Sequence, residues 1–258
     1  MMRATFTAFT LLLLLAPATQ AQKRNPLFGL PDGAQIIEVR KLELANGKER
    51  SLVLWMLRPK KYPRGSDEFY TCPEETRGSF YRGPTRVSLV DAAAGRVVNT
   101  LKVLQEYSHG EDEFDLPYRI KAGGYYHVEG VADEREGRPS IMHLRDFNGD
   151  GRAHEFALFD ALACMGLETA LFGYSETRDR VIQYPLSLET TGVDGKKTAE
   201  VLTWVDYLFA KKPAAPGRWK FEVDYRGRNG SLDSYEVRYD PTAERFEGTM
   251  RSTRDEQQ

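Results

Sequence analysis

Short runs in which apolar and polar residues alternate constrain the fold of this chain more than any other feature. In residues 218–225, RWKFEVDY, the odd-numbered side chains are aromatic or aliphatic and the even-numbered ones are charged. A period of two places these two sets on opposite faces of a strand that is buried on one side. Similar runs, separated by Gly, Pro, Asn and Asp, recur along the chain, and the pattern predicts an all-β protein.

Several of these runs are paired around a turn. Residues 83–104 contain two strand-like runs around a turn at residues 91–95, and residues 169–186 repeat the arrangement around a polar turn. We find no fixed-period repeat and no shared motif among the hairpins. We therefore expect antiparallel hairpins or a meander, packed as a sandwich or a propeller-like sheet.

One segment, residues 197–212, fits two structures. It could form a helix with Val201, Trp204, Val205 and Leu208 on one face. Its Val, Thr, Trp, Tyr and Phe content favours a strand, which is the interpretation we adopt.

The first residues are typical of a secretory signal peptide. Arg3 precedes an apolar run over residues 6–16, and small side chains at Thr19 and Ala21 suit cleavage after Ala21. The run is short for a bilayer span, although an N-terminal anchor is the alternative. We expect a signal peptide at residues 1–21, a single β-rich domain at residues 22–258, and a secreted or periplasmic protein.

The two cysteines, Cys72 and Cys164, lie in the part of the chain that is expected to be exported. An even number of cysteines in an oxidising compartment predicts a disulfide between them. Two separate buried thiols are the alternative.

The charges of the chain are nearly balanced. There are 36 Lys and Arg against 38 Asp and Glu, which gives a formal net charge of −2. This balance provides no bulk attraction to nucleic acid or to an anionic membrane. We expect no nucleic-acid partner and no membrane insertion after signal removal, and an unidentified protein or glycan as the partner.

Residues 146–155, DFNGDGRAHE, carry the clearest sign of chemistry. Asp146, Asn148 and Asp150 alternate, and Gly151 allows a tight turn after which the carbonyl of Arg152 can point inward. Carboxylate, amide and carbonyl oxygens are the ligands that Ca²⁺ prefers, in sets of six to eight.

This pattern resembles the D-x-[DN]-x-D-G calcium loops of EF-hands, dockerins and FG-GAP/VCBS repeats. The resemblance covers about a dozen of the 258 residues and assigns no family to the whole chain. An EF-hand would require Glu at the twelfth position, where Ala157 stands, and a helix afterwards, where the sequence predicts a strand. His154 occupies the position that is usually Asp in FG-GAP/VCBS loops, so Glu155 is the residue that could complete the shell. We expect a structural Ca²⁺ held by Asp146, Asn148, Asp150, Arg152 and Glu155.

The alternative is a hairpin turn without metal, since Asn-Gly and Asp-Gly favour turns. A plain turn does not require acids at both 146 and 150, which repel each other unless a cation lies near them. A second acidic run, residues 111–115, is better explained as a solvated loop than as another cation site or a glycosidase carboxylate.

The sequence contains neither a zinc-protease motif nor a nucleophile elbow nor a phosphate-binding loop. It therefore favours an exported, calcium-stabilised β-rich binding or structural module over an enzyme. A secreted hydrolase acting on carbohydrate is the alternative.

Overall fold

The computed structural model describes residues 29–62, 80–104, 113–116, 140–162, 166–226 and 230–254. These residues form three β-sheets, and the expected all-β class is confirmed. The segments with the signal peptide (1–21), with Cys72 and with Cys164 lie outside the described residues. The described residues contain no helix that is long and apolar enough to cross a membrane.

The first sheet has six strands in the order β1-β2-β4-β3, with β5 and β6 also paired to the long strand β4. Every pairing in it is antiparallel. The strands are β1 (Ala34–Lys41), β2 (Arg50–Leu57), β3 (Lys60–Tyr62), β4 (Phe80–Asp91), β5 (Arg96–Lys102) and β6 (Glu113–Leu116).

The second sheet is antiparallel and has four strands in the order β12-β8-β7, with β9 also paired to β8. It follows directly after the predicted calcium loop. The strands are β7 (Glu155–Leu162), β8 (Gly166–Ser175), β9 (Arg180–Tyr184) and β12 (Val205–Asp206).

The third sheet has five strands in the order β11-β10-β15-β14-β13. Strands β10 and β15 run parallel, whereas the other pairings in this sheet are antiparallel, so the chain is not a simple meander. The strands are β10 (Leu186–Thr191), β11 (Lys197–Leu202), β13 (Arg218–Asp224), β14 (Leu232–Asp240) and β15 (Arg245–Thr253).

The four-stranded sheet lies between the other two and is buried on both faces. Phe156, Ala170 and Phe172 pack into a core shared with the six-stranded sheet. Ala157 and Leu171, whose side chains point the other way, pack into a core shared with the five-stranded sheet. Burial on both faces explains the apolar run at residues 170–174 of β8.

Each sheet contains one hairpin with the same turn. The turns, with their flanking residues, are 91–96, 175–180 and 240–245, and each ends in Arg. The fifth residue of each has positive φ: Gly95 (60°), Asp179 (47°) and Glu244 (48°). The three turns share this conformation, although the fifth position is Gly in only the first of them.

In the second and third turns this residue links neighbouring sheets. Asp179 accepts hydrogen bonds from Nε (3.0 Å) and Nη2 (2.8 Å) of Arg50 in the six-stranded sheet. Glu244 of the five-stranded sheet accepts from the hydroxyls of Ser175 (2.5 Å) and Thr177 (2.8 Å) at the end of β8 and in its turn. The turn after β8 is therefore bonded to the sheets on both sides.

The segment 197–212 is only partly a strand. It forms β11 and β12, and then a 3₁₀ helix at Leu208–Ala210. The backbone N–H of Phe209 in this helix donates to the Thr169 hydroxyl at 3.1 Å. Leu208 and Phe209 are buried, so tertiary packing rather than local propensity decides this turn.

Candidate metal centre

The predicted calcium loop is closed at its base by a pair of backbone hydrogen bonds. The N–H of Arg145 donates to the carbonyl of Glu155 at 2.8 Å, and the N–H of Glu155 donates back at 3.3 Å. Strand β7 begins at Glu155. The loop is thus flanked by extended chain, as the sequence predicted, and no exiting helix follows it.

The carboxylate of Asp146 organises the first half of the loop. Its Oδ1 accepts hydrogen bonds from the N–H groups of Gly149 (2.6 Å) and Asp150 (3.0 Å). Its Oδ2 accepts from the N–H of Gly151 at 2.9 Å. Both glycines have positive φ, 80° and 86°, which permits the chain to curl around this carboxylate.

The side chains of Asn148 and Asp150 point into the same curl. The N–H of Asp150 donates to Oδ1 of Asn148 at 2.9 Å, and the N–H of Arg152 donates to Oδ1 of Asp150 at 2.8 Å. The Arg152 guanidinium forms an ion pair with Glu176 in the turn after β8. The proposed role of the Arg152 carbonyl as a ligand stays a prediction.

Glu155 is fully buried, and its carboxylate is directed back at the loop. Its exposed fraction is 0 %. Oε2 accepts a hydrogen bond from the N–H of Phe147 at 3.1 Å, and Oε1 accepts from the side-chain amide of Asn148 at 3.1 Å. The backbone N–H of Asn148 also contributes a hydrogen bond to this carboxylate. A carboxylate has about four lone-pair sites, so these donors leave room for a further partner.

The side-chain amide nitrogen of Asn148 also donates to Oδ2 of Asp150 at 3.2 Å. One positively polarised group thus lies between the carboxylates of Asp150 and Glu155. The sequence left open whether Glu155 reaches the loop, and the structure brings its side chain into the loop's hydrogen-bond network.

The pKa of Glu155 is raised from 4.5 to about 8. Burial is the main cause, and the charges of Asp150 and Asp146 add to it, whereas the hydrogen bonds from the loop oppose it. Ionisation of this carboxylate is therefore costly in the absence of a positive charge nearby.

Gly173 makes the buried position of Glu155 possible. It lies opposite Glu155 in the pairing of β7 with β8. A Cβ at Gly173 would lie 2.8 Å from Cγ of Glu155 and 2.8 Å from the carbonyl oxygen of His154. A glycine inside an apolar strand is a sign of such a close approach, and it is the signal that the sequence reasoning missed.

The loop also rests on the turn that precedes β13. A Cβ at Gly149 would lie 2.7 Å from the backbone N of Gly217, and one at Gly217 would lie 2.5 Å from the carbonyl oxygen of Asn148. The ring of Phe147 stacks on Trp219 with centroids 6.4 Å apart. The loop is therefore anchored to the five-stranded sheet by backbone contact and by the core.

The other acidic side chains of the central sheet form a row on adjacent strands. Glu168 of β8 lies opposite Asp160 of β7 and Asp206 of β12. Asp206 accepts a hydrogen bond from the Tyr225 hydroxyl at 3.0 Å, and burial raises its pKa. Glu168, at the centre of this row, is 6 % exposed.

The four predicted ligands with oxygen side chains, Asp146, Asn148, Asp150 and Glu155, thus share one network of hydrogen bonds. Within the described ranges, no three His, Cys, Asp or Glu side chains lie close enough together to hold a metal ion. His154 is buried and its Nε2 lies 3.2 Å from the carbonyl oxygen of Glu43, away from the loop's carboxylates.

The fold and this loop define the class of the molecule: an all-β protein of three stacked sheets with a strand-flanked acidic loop. Comparison with protein-family models, curated proteins and solved structures found no match to this chain.

Proposed function

We propose that residues 146–155 bind one structural Ca²⁺ and that the protein is an exported, calcium-stabilised β-rich module that binds a protein or glycan partner. The observation that carries this proposal is the fully buried carboxylate of Glu155, which accepts a hydrogen bond from the Asn148 amide and whose pKa is raised in part by the charges of Asp150 and Asp146. A buried carboxylate is stable only when it is paired, protonated or bound to a metal.

The oxygen ligands that the loop offers suit calcium. Carboxylates of Asp146, Asp150 and Glu155 with the amide oxygen of Asn148 form a set of hard oxygen ligands, and the Arg152 carbonyl adds one more. Among the described residues, no histidine or cysteine side chain, which would favour zinc, takes part in this network.

The side-chain amide of Asn148, which donates to the carboxylates of both Asp150 and Glu155, indicates where the ion would bind. Its nitrogen lies within 3.2 Å of Oδ2 of Asp150 and of Oε1 of Glu155. A cation placed between these carboxylates would replace a neutral donor by a full charge. Oxygen ligands at about 2.3–2.6 Å from Ca²⁺ would require the carboxylates to move closer together and the Asn148 amide to turn its oxygen towards the ion.

The role of the ion would be to hold sheets together. The loop joins the central sheet at Glu155 and contacts the five-stranded sheet at Gly217. A bound ion would fix both contacts in the folded state only, and binding to the folded state alone stabilises it by mass action. Extracellular modules bind calcium at roughly 10⁻⁴–10⁻³ M, so millimolar calcium would be sufficient.

The outer face of the five-stranded sheet supports the binding part of the proposal. It contains an open depression of about 830 Å³ whose lining includes Lys220, Glu236, Arg238 and Glu247. Charged side chains of both signs supply donors and acceptors for a polar partner, such as a glycan or a protein surface.

Thermal unfolding with and without millimolar Ca²⁺ tests the ion site. We expect calcium to raise the melting temperature of the unmodified protein. The melting temperature of Asp146→Ala should be the same with and without calcium. Asp194→Ala is the matched control, because Asp194 also begins an Asp-Gly turn and caps the N–H of Lys196 at 3.0 Å without a buried acid beside it. Its calcium response should equal that of the unmodified protein, and a calcium response that survives Asp146→Ala would refute the site.

A further inference from the structure

Strand β11 is an open edge of the five-stranded sheet. Among the described strands it pairs only with β10, and residues 197–201 are all exposed. Val201 is 66 % exposed, the largest value among the exposed large hydrophobic side chains of the described residues. An edge of this kind presents backbone N–H and C=O groups that can pair with another strand.

Two of the usual protections of an edge strand, a bulge and a proline, are absent from β11, although Lys197 and Glu200 give it charge. Edge strand β1 of the six-stranded sheet has a bulge between Ile36 and Glu38. Strand β11 pairs with β10 through six consecutive residues without a register shift, and it contains no proline. Regular, unbulged edges are the ones that accept a further strand.

We propose that β11 pairs antiparallel with β11 of a second copy of this chain, which joins the two five-stranded sheets into one. A two-fold axis perpendicular to the sheet relates the copies, as in most homodimers. Residues that face each other across an antiparallel pair point to the same side of the sheet. The axis therefore lies midway between the two copies of one residue. Any two residues that face each other are then both odd-numbered or both even-numbered.

Charge complementarity selects the axis. With the axis at Thr198, the two Thr198 side chains face each other, and Lys196, the residue directly before β11, faces Glu200 of the other copy when the pairing continues by one residue beyond the strand. With the axis at Glu200, two carboxylates would face each other, and with the axis at Ala199 neither charge would face its opposite. Opposite charges and Thr–Thr pairs stabilise facing positions, whereas like charges destabilise them.

An extended peptide of another protein could also add to this edge, but it would not produce the facing Lys196–Glu200 pairs twice. A six-residue strand buries less than the roughly 800 Å² per partner of a standard interface, so the association is expected to be weak and concentration-dependent.

Sedimentation velocity over a range of concentrations tests this dimer. We expect the unmodified protein to move from monomer towards dimer as its concentration rises. Glu200→Lys, which places Lys opposite Lys, should remain monomeric at the same concentrations. The double variant Lys196→Glu/Glu200→Lys restores opposite charges and should dimerise like the unmodified protein.

Glu222→Lys on β13, the other edge of the same sheet, is the matched control and should not change the association. Circular dichroism should show that all variants are folded, and Lys196→Glu replaces Glu200→Lys if the latter is not. A protein that is monomeric at every concentration overturns the proposal. So does a Glu200→Lys variant that still dimerises, or a double variant that does not.

Discussion

Arg50 in the six-stranded sheet donates two hydrogen bonds to Asp179 in the turn after β8, from Nε at 3.0 Å and from Nη2 at 2.8 Å. This arrangement joins two sheets through a carboxylate that also accepts from Lys48 at 2.8 Å. The hydrogen bonds from Arg50 hold the pKa of Asp179 well below its ordinary value of 3.8.

The acid stability of the protein should therefore depend on Asp179. A carboxyl group with a lowered pKa in the folded state contributes stability that is present above about pH 4 and is lost as the pH falls towards the folded pKa. Asp179→Asn, which keeps a residue that tolerates positive φ, should lower the free energy of unfolding at pH 7 by about 1.5–3 kcal/mol. The difference in the free energy of unfolding between pH 7 and pH 3, measured with urea, should be smaller in this variant than in the unmodified protein. An unchanged difference would contradict this role of Asp179.

The contact of the loop with the turn before β13 can be tested at two glycines. Gly149 and Gly151 both have positive φ, but only Gly149 would place a Cβ against backbone, 2.7 Å from the N of Gly217. Gly149→Ala should cost about 2–4 kcal/mol, the sum of strain and overpacking, whereas Gly151→Ala should cost about 1–2 kcal/mol from strain alone. If chemical denaturation shows the same loss in the free energy of unfolding for both variants, the loop does not rest on this turn.

Glu155 should make the stability of the calcium-free protein fall as the pH rises. Its pKa is raised to about 8 by burial, so between pH 4.5 and 8 the folded state binds a proton that the unfolded state has released. Over this range the free energy of unfolding should decrease by at most about 1.4 kcal/mol per pH unit. Glu155→Gln should remove this slope in denaturation curves recorded with a chelator present. Calcium should also reduce the slope, because a bound cation favours the ionised carboxylate.

Most of the strands could be predicted from the sequence, whereas their neighbours in the sheets could not. Strand β6 is an exception, because it includes part of the acidic run 111–115 that we expected to be a solvated loop. Alternation in residues 218–225 identifies β13 and its buried face, because a period of two is a local property. The parallel pairing of β10 with β15 depends on how the whole chain packs, and no local pattern encodes it.

The shared turn was missed because of its fifth residue. A search for positive φ from sequence looks for Gly, which is present at Gly95, but Asp179 and Glu244 occupy the same conformation. Their hydrogen bonds to neighbouring sheets provide a physical reason for this exception. The spacing of Asp146, Asn148 and Asp150 alone led to the prediction of a calcium loop, and their role as ligands stays a prediction.

The burial of Glu155 could not be deduced from spacing, because it depends on Gly173 in the partner strand. The sequence showed only that an acid follows His154 after the loop. The closing bond from Arg145 to Glu155 then fixes which way the side chain points.

The central claim, that residues 146–155 bind calcium through Glu155, is tested most directly by isothermal titration of the protein with CaCl₂ at pH 7.5. We predict one site with a dissociation constant on the order of 10⁻⁴–10⁻³ M for the unmodified protein and for Asp194→Ala. The heat of binding should be lost in Glu155→Gln, which preserves the size of the side chain. Absence of binding to the unmodified protein, or undiminished binding to Glu155→Gln, would contradict the claim.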